Sequence, residues 1–344
     1  MSYKNTPGIS QSFLKKLATN PYEAKHKLYD DDSKPFYLKF GTMLDKMLKS
    51  EADFNEHYAV INSTPSDAVT AIIVDYYNET KDFTLENEEK LMTIGKSHQY
   101  SLHIKKPETY LNRLKNVETL SYIAEYHNSQ GKTVISADEK TKINNLVNAF
   151  KDEPSTSFYV APTTDNFYIL DDLVIKFEYK GYTCKCEIDR IIINKSNQVI
   201  IPIDFKSTSS VGTNSFSYSF FKFGYHNQDF FYSTALKYAV ENNFTVTTKD
   251  IYGESSIFDL SGYQIEDFIF LTGETGDLEN PTVYAVKSNQ LIREAGKSGF
   301  IAKNGNKYEG IDQLLNRYEF HETYGYSKYP MEYVQKGYLD LQLI

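Results

Sequence analysis

The chain has 344 residues, enough to bury a sizeable core as one large domain or two modest ones. Charged residues make up 24% and hydrophobic ones 40%, which excludes a disordered chain. A net charge of −9 excludes a general basic coat for nucleic acid, though not a local binding groove. The only cysteines, Cys184 and Cys186, lie two apart on one strand face. They are too local for a fold-stapling disulfide and too few for a four-cysteine zinc or iron–sulfur site. The polar start and the lack of a run of about 18 apolar residues point to a reduced, cytoplasmic protein with no membrane span.

In chain order, ISQSFLKKLATNPYEAKHKL and FYLKFGTMLDKMLKS, within residues 9–49, read as helices. Ser10 or Ser12 caps the first, and Asn20-Pro21 ends it. Leu44, Met47 and Leu48 keep helical spacing after Gly41. Further helical segments run from about residue 91 to 152. One, SADEKTKINNLVNAFKDEP, starts with a Ser136/Glu139 capping box and buries Ile143, Leu146, Val147 and Phe150. From Ser157 to Thr208 the period becomes two, and FYVAP, NFYIL, LVIKFEYKGYTCKCEIDRIII and VIIPIDFKST read as a strand meander. QDFFYSTALKYAVENN is helical, DFIFLTGET and TVYAVKS are strands, and a helical tail closes the chain. This is an α/β (α+β-like) layout, a mixed sheet flanked by helices behind a helical N-terminal region. It is expected as one domain over 1–344, with a mainly helical part to 155, the sheet and its helix over 156–290, and a helical tail over 291–344.

The strands carry unexpected charge. Residues two apart share a strand face, so Glu187 pairs with Asp189 and Asp204 with Lys206. If the strands joined by NKSNQ pair, Asp189 and Asp204 meet across the ladder beside Lys206. Burying that set without compensation is expensive. A hard cation relieves the cost, since Mg²⁺ or Mn²⁺ takes carboxylate and backbone oxygens and keeps waters open to a phosphate. Lys206 could then orient or deprotonate an attacking water and stabilise developing charge. A lone D-x-K is more often a surface hairpin pair; here it ends a VIIPI strand and follows a strand with its own acids.

Taken together, Asp189, then Asp204-Phe205-Lys206, then Gln228-to-Tyr232 resemble the RecB-like branch of the PD-(D/E)xK nucleases, whose Q-x-x-x-Y motif lies on the helix after the catalytic strands. Gln228 and Tyr232, four apart, share one helix face. YHNQDFFYSTALKYA resembles the matching helix of RecE-type exonucleases (exodeoxyribonuclease VIII). So, in order, do the N-terminal segments, GKTVISADEKTKINNLVNAFKDEP and the last strand pair, from about residue 8 to 335. One departure stands out: Asp45, four after Gly41, occupies a position where that family usually has a metal-binding His. As a hard oxygen donor Asp45 could serve instead.

The resemblance implies a PD-(D/E)xK core and Mg²⁺ (or Mn²⁺) held by Asp189, Asp204, the Phe205 carbonyl and Asp45. It implies Lys206, Gln228 and Tyr232 at the reacting phosphate, with Glu187 behind the ligands. Glu178 is a more distant acid, and His226 a structural or DNA-contacting residue. The implied activity degrades linear duplex DNA from 5′ ends, in a ring-like homo-oligomer, beside a single-strand annealing partner in phage or prophage recombination. Residues 1–50 hold nine Lys and five acids, and residues 91–117 hold five Lys/Arg and one Glu, each a balance of +4. Lys15, Lys16, Lys105 and Lys106 are the expected channel lining. Two rivals remain: an iron–sulfur nuclease of the same superfamily, which needs four cysteines, and a non-catalytic DNA-binding or assembly protein, for which Asp45 is the sole support.

Overall fold

The computed structural model describes residues 3–28, 36–63, 65–100, 106–129, 131–162, 166–209, 212–249, 255–329 and 331–336. By its internal packing the chain forms two compact units, Met1–Asp45 with Leu146–Ile344, and Lys46–Asn145. The boundaries fall inside two helices.

Helices α1 (Gln11–Thr19), α2 (Pro21–His26) and α3 (Phe36–Lys49) open the chain. Ser10 caps α1, its hydroxyl accepting from the Phe13 amide at 3.1 Å. Asn20 ends α1 and caps α2 through the Glu23 amide at 3.1 Å, with Pro21 in the first turn where no amide hydrogen is needed.

The smaller unit holds α4 (Glu51–His57), β1 (Tyr58–Ile61), α5 (Asp67–Thr80), α6 (Glu88–Ser97), α7 (Pro107–Leu114), α8 (Val117–Asn128) and β2 (Thr133–Ser136). β1 and β2 pair in parallel, and Ile72, Ile73, Tyr76, Leu91 and Tyr110 form its centre. Helix α9 (Ala137–Asp152) begins with the expected capping box: the Ser136 amide donates to Glu139 at 2.7 Å, and the Glu139 amide donates to Ser136 at 3.1 Å.

The larger unit is built on a mixed sheet flanked by helices. Its long hairpin joins β3 (Phe167–Tyr179) to β4 (Tyr182–Asn194) through Lys180 and Gly181, at φ 50° and 81°, the left-handed pair that a tight hairpin turn requires. β5 (Val199–Thr208) returns antiparallel to β4 after a turn in which the Asn194 side chain accepts from the Ser196 and Asn197 amides. α11 (Gly212–Lys222) and α12 (Tyr225–Glu241) follow α10 (Ser157–Val160) in chain order. Strands β6 (Thr245–Lys249), β7 (Ser255–Asp259), β8 (Gln264–Ile265), β9 (Ile269–Glu274) and β10 (Val283–Lys287) complete the order β10-β9-β5-β4-β3-β6-β7, with β8 beside β5. α13 (Gln290–Ser298), α14 (Ile311–Tyr324) and α15 (Met331–Lys336) form the expected helical tail.

One expectation fails locally. FYVAP is not a strand, because Ser157–Val160 turns as a helix. There the buried Arg190 guanidinium donates to the Val160 carbonyl at 2.9 Å and pairs with Asp171 at 2.6 Å. Pro202 sits in a central strand, where a missing amide hydrogen normally breaks a ladder. It is tolerated because β5 changes partner there, pairing with β8 at Val199–Ile200 and with β9 only from Ile203.

One sheet face is packed by α12, whose Phe231 meets Phe177 edge-on at 5.0 Å. α12 and α13 cross closely at Gly296, where a Cβ would stand 2.0 Å from the His226 carbonyl oxygen. Among the described residues, no helix is long and apolar enough to cross a membrane. Both cysteine thiols are free and buried, and burial pushes Cys184 up to about 12.

Candidate active site

The site lies where β4 and β5 separate. Their ladder runs from Asn194↔Val199 to Arg190↔Ile203 and stops one rung short of Asp189 and Asp204. Beyond that point the edge of β4 is taken by the N-terminal segment: the Ile9 amide donates to Thr183 at 3.0 Å, and the Lys185 amide donates to Ile9 at 2.8 Å. The two strands therefore part at the two acids. In the gap the Asp189 carboxylate replaces a ladder partner and accepts from the Phe205 amide at 3.0 Å.

β4 is irregular at the same place. It pairs with β3 at Ile188 and Arg190, but the rung between, opposite Asp172, is not formed, and Asp172 has φ 54°. Cys184, Cys186 and Ile188 share a core with Ile191 and Ile193, which an unbroken alternation forbids. Asp189 turns its carboxylate into the gap toward β5.

Asp204 is 1% exposed and lies beside three groups. Lys206 forms an ion pair with one carboxylate oxygen. Gln228, one turn into α12, donates its side-chain amide to the other. Asp189 is near enough for its charge to repel that of Asp204. Burial, then repulsion from Asp189, pushes Asp204 up to about 7, against the opposing pull of Lys206. Burial works against the Lys206 charge, but Asp204, Tyr225 and Asp189 outweigh it and hold its pKa above the ordinary lysine value. Lys206 is thus an ammonium at neutral pH. It can orient water and stabilise negative charge.

Tyr232 is half-buried, on the same face of α12 as Gln228. Its pKa is raised well above 10 by burial and then by Asp204, Tyr3, Cys186 and Asp189, so its neutral hydroxyl borders the acids. His226 is buried against Phe221, Phe300 and Tyr308. Burial lowers it to about 4, which makes it a neutral structural group. Glu178 binds the Thr183 hydroxyl near the hairpin turn, away from the acids.

α3 approaches β5 one residue past Lys206, where a Cβ on Gly41 would stand 3.2 Å from the Ser207 hydroxyl. Asp45 is half-buried one turn further along the same helix face. Among the described residues, no three His, Cys, Asp or Glu side chains gather in a group able to hold a metal. Asp45 is accordingly not joined to Asp189 and Asp204 in such a group. The donors that do converge are two carboxylates in the gap between the strands, one buried with its ionisation disfavoured. That set suits a hard divalent cation, which would compensate the second negative charge. Asp189, Asp204 and the Phe205 carbonyl are the groups to hold it.

Of the four lysines expected to line a channel, Lys15 donates to the Phe223 carbonyl at 2.7 Å, and Lys16 is paired with Glu23. Lys106 is exposed at the start of α7, and Lys105 lies outside the described residues. The sequence reading missed Tyr225, whose ring centroid lies 4.5 Å from the Lys206 ammonium. Its place three residues before Gln228, on one helix face, was the available signal. It also missed Tyr3 beside Tyr232, which no local pattern announces.

No protein-family model matches the chain, and no curated protein sequence does. A crystal structure of a candidate exonuclease from Eubacterium rectale has a TM-score of 0.48 and 9% identity, covering 100% of this chain and 96% of that one. That likeness is too slight to bear on chemistry.

Proposed function

We propose that the chain is a divalent-cation-dependent deoxyribonuclease. The observation that carries this reading is the meeting of Asp189, Asp204, Lys206 and Gln228 at the point where β4 and β5 part. A sheet opened at two carboxylates, with an ammonium alongside, suits phosphodiester hydrolysis, which needs charge stabilisation and an aligned water more than covalent chemistry.

In this reading Asp189, Asp204 and the Phe205 carbonyl would hold Mg²⁺ or Mn²⁺. When bound, the cation would supply Lewis-acid polarisation of the phosphate and would lower the pKa of a bound water. Lys206 stays protonated, points a donor at the attacking water or the developing oxyanion, and is steadied over the Tyr225 ring. Gln228 fixes one oxygen of Asp204 and so sets where the other points. Tyr232 offers a neutral hydroxyl at the border of the site, and Asp189 is held by the Phe205 amide. The products would be 5′-phosphate and 3′-hydroxyl ends.

The resemblance of the sequence to RecE-type exonucleases supports a finer reading: an exonuclease on linear duplex DNA from 5′ ends, in a ring-like oligomer, with a strand-annealing partner in phage recombination. The test is incubation with Mg²⁺ and linear or circular duplex DNA, with Asp204→Ala as control. End-dependent cutting lost in the variant supports the proposal, and equal cutting by the variant contradicts it.

A further inference from the structure

Just past Lys206 on β5 is a cavity of about 620 Å³, in the size range of a small-molecule or nucleotide site. It is walled by Ser207 and Thr208, the residues after Lys206 on β5, and by Phe216, Tyr218, Phe223 and Tyr225. Tyr225 thus faces both the cavity and the Lys206 ammonium. Two of these rings are exposed where an ordinary core would hide them: Tyr218 is 60% exposed and Phe223 is 42% exposed.

The rings are flanked by cations. The Lys222 ammonium lies 5.9 Å from the Tyr218 ring centroid and 5.8 Å from that of Phe223, so one charge sits between two planes. The Lys15 ammonium lies 5.7 Å from the Phe223 centroid and donates to the Phe223 carbonyl, which ties the end of α11 to α1. Burial, then repulsion from Lys206, lowers the Lys15 pKa. Among the described residues, no carboxylate walls the cavity.

We infer that Tyr218 and Phe223 form a stacking platform for unpaired bases of a single-stranded nucleic-acid end, with Lys222 and Lys15 beside it for the phosphates. Exposed aromatic planes interleaved with ammonium groups are the chemistry that grips unpaired bases without reading sequence. Inside a duplex each base face is covered by its neighbours, so only an unpaired end can lay successive bases on the two rings. The inference rests on reading Asp189, Asp204 and Lys206 as a nucleic-acid-cleaving site, because the cavity opens just past Lys206. It adds that the strand reaches that site frayed or single-stranded.

The test uses the full chain in Ca²⁺, with duplexes carrying 2-aminopurine in an unpaired end and the same duplexes blunt-ended. Stacking on the rings should quench the unpaired probe. Tyr218→Ala with Phe223→Ala should abolish that quenching and weaken binding of the unpaired end by about ten-fold or more, with little change for the blunt duplex. Tyr218→Phe with Phe223→Tyr keeps both rings and should keep the quenching. Unchanged quenching and affinity in the alanine pair, or no binding of any probe by the wild type, would overturn the platform. Asp204→Asn in Mg²⁺ reports on the nuclease reading separately. Cutting retained by that variant defeats the nuclease reading, while quenching that still depends on the two rings upholds the platform.

Discussion

Ionising Asp204 in the cation-free protein should cost stability, and the cost can be followed with pH. Its carboxyl is raised from 3.8 to about 7 by burial and by Asp189. At about 1.36 kcal/mol per unit, that shift amounts to about 4 kcal/mol at most. The folded state holds this proton more tightly than the unfolded state does. Stability is therefore highest below the unfolded pKa near 4, falls as pH rises to about 7, and is flat beyond. Lys206, raised rather than lowered, stays charged throughout this window and adds no slope. Asp204→Asn removes the titrating proton and should flatten the curve. Saturating Mg²⁺ should flatten it in the wild type, because a bound cation replaces the proton as the compensating charge. Urea unfolding at pH 5, 6, 7 and 8, with and without Mg²⁺, gives the comparison. Identical pH slopes in wild type and Asp204→Asn would refute the account of this carboxyl.

Three further outcomes follow from the same geometry. Gln228→Ala leaves a buried oxygen of Asp204 without its donor, so stability should fall by about 1–3 kcal/mol and cleavage with it, read by unfolding and by single-turnover rates. Asp171→Ala strands the buried Arg190 charge and should cost about 3–5 kcal/mol, yet leave Mn²⁺ affinity per folded molecule unchanged in a titration. Gly296→Ala drives a Cβ into the His226 carbonyl; a thermal midpoint equal to wild type would show that α12 and α13 do not cross as closely as described.

Much of the site was legible because its signals are local. Asp204 and Lys206 share a strand face, Gln228 and Tyr232 share a helix face, and NKSNQ reads as a turn whatever surrounds it. What escaped depends on distant partners. FYVAP has the aromatic and β-branched residues of a strand, and it turns instead where Arg190, some 30 residues on, bonds the Val160 and Tyr159 carbonyls. The missing rung between Asp189 and Asp172, where the backbone takes a positive φ, has no local signature in the sequence. β6 and β7, in FTVTTK and SSIFD, were passed over because they are short and flanked by polar residues. β1 and β2 pair across more than seventy residues, which no local period reports.

The most direct measurement of the central claim is cation binding coupled to cleavage on one set of samples. Purified wild type and Asp204→Ala would be titrated with Mn²⁺, then incubated in Mg²⁺ with linear duplex labelled at the 5′ end, the same duplex labelled at the 3′ end, and closed circular DNA. The account predicts Mn²⁺ binding and DNA cleavage in the wild type and loss of both in the variant, with early release of 5′ label and a spared circle if the finer exonuclease reading holds. Cation binding and cleavage unaltered by Asp204→Ala would contradict it.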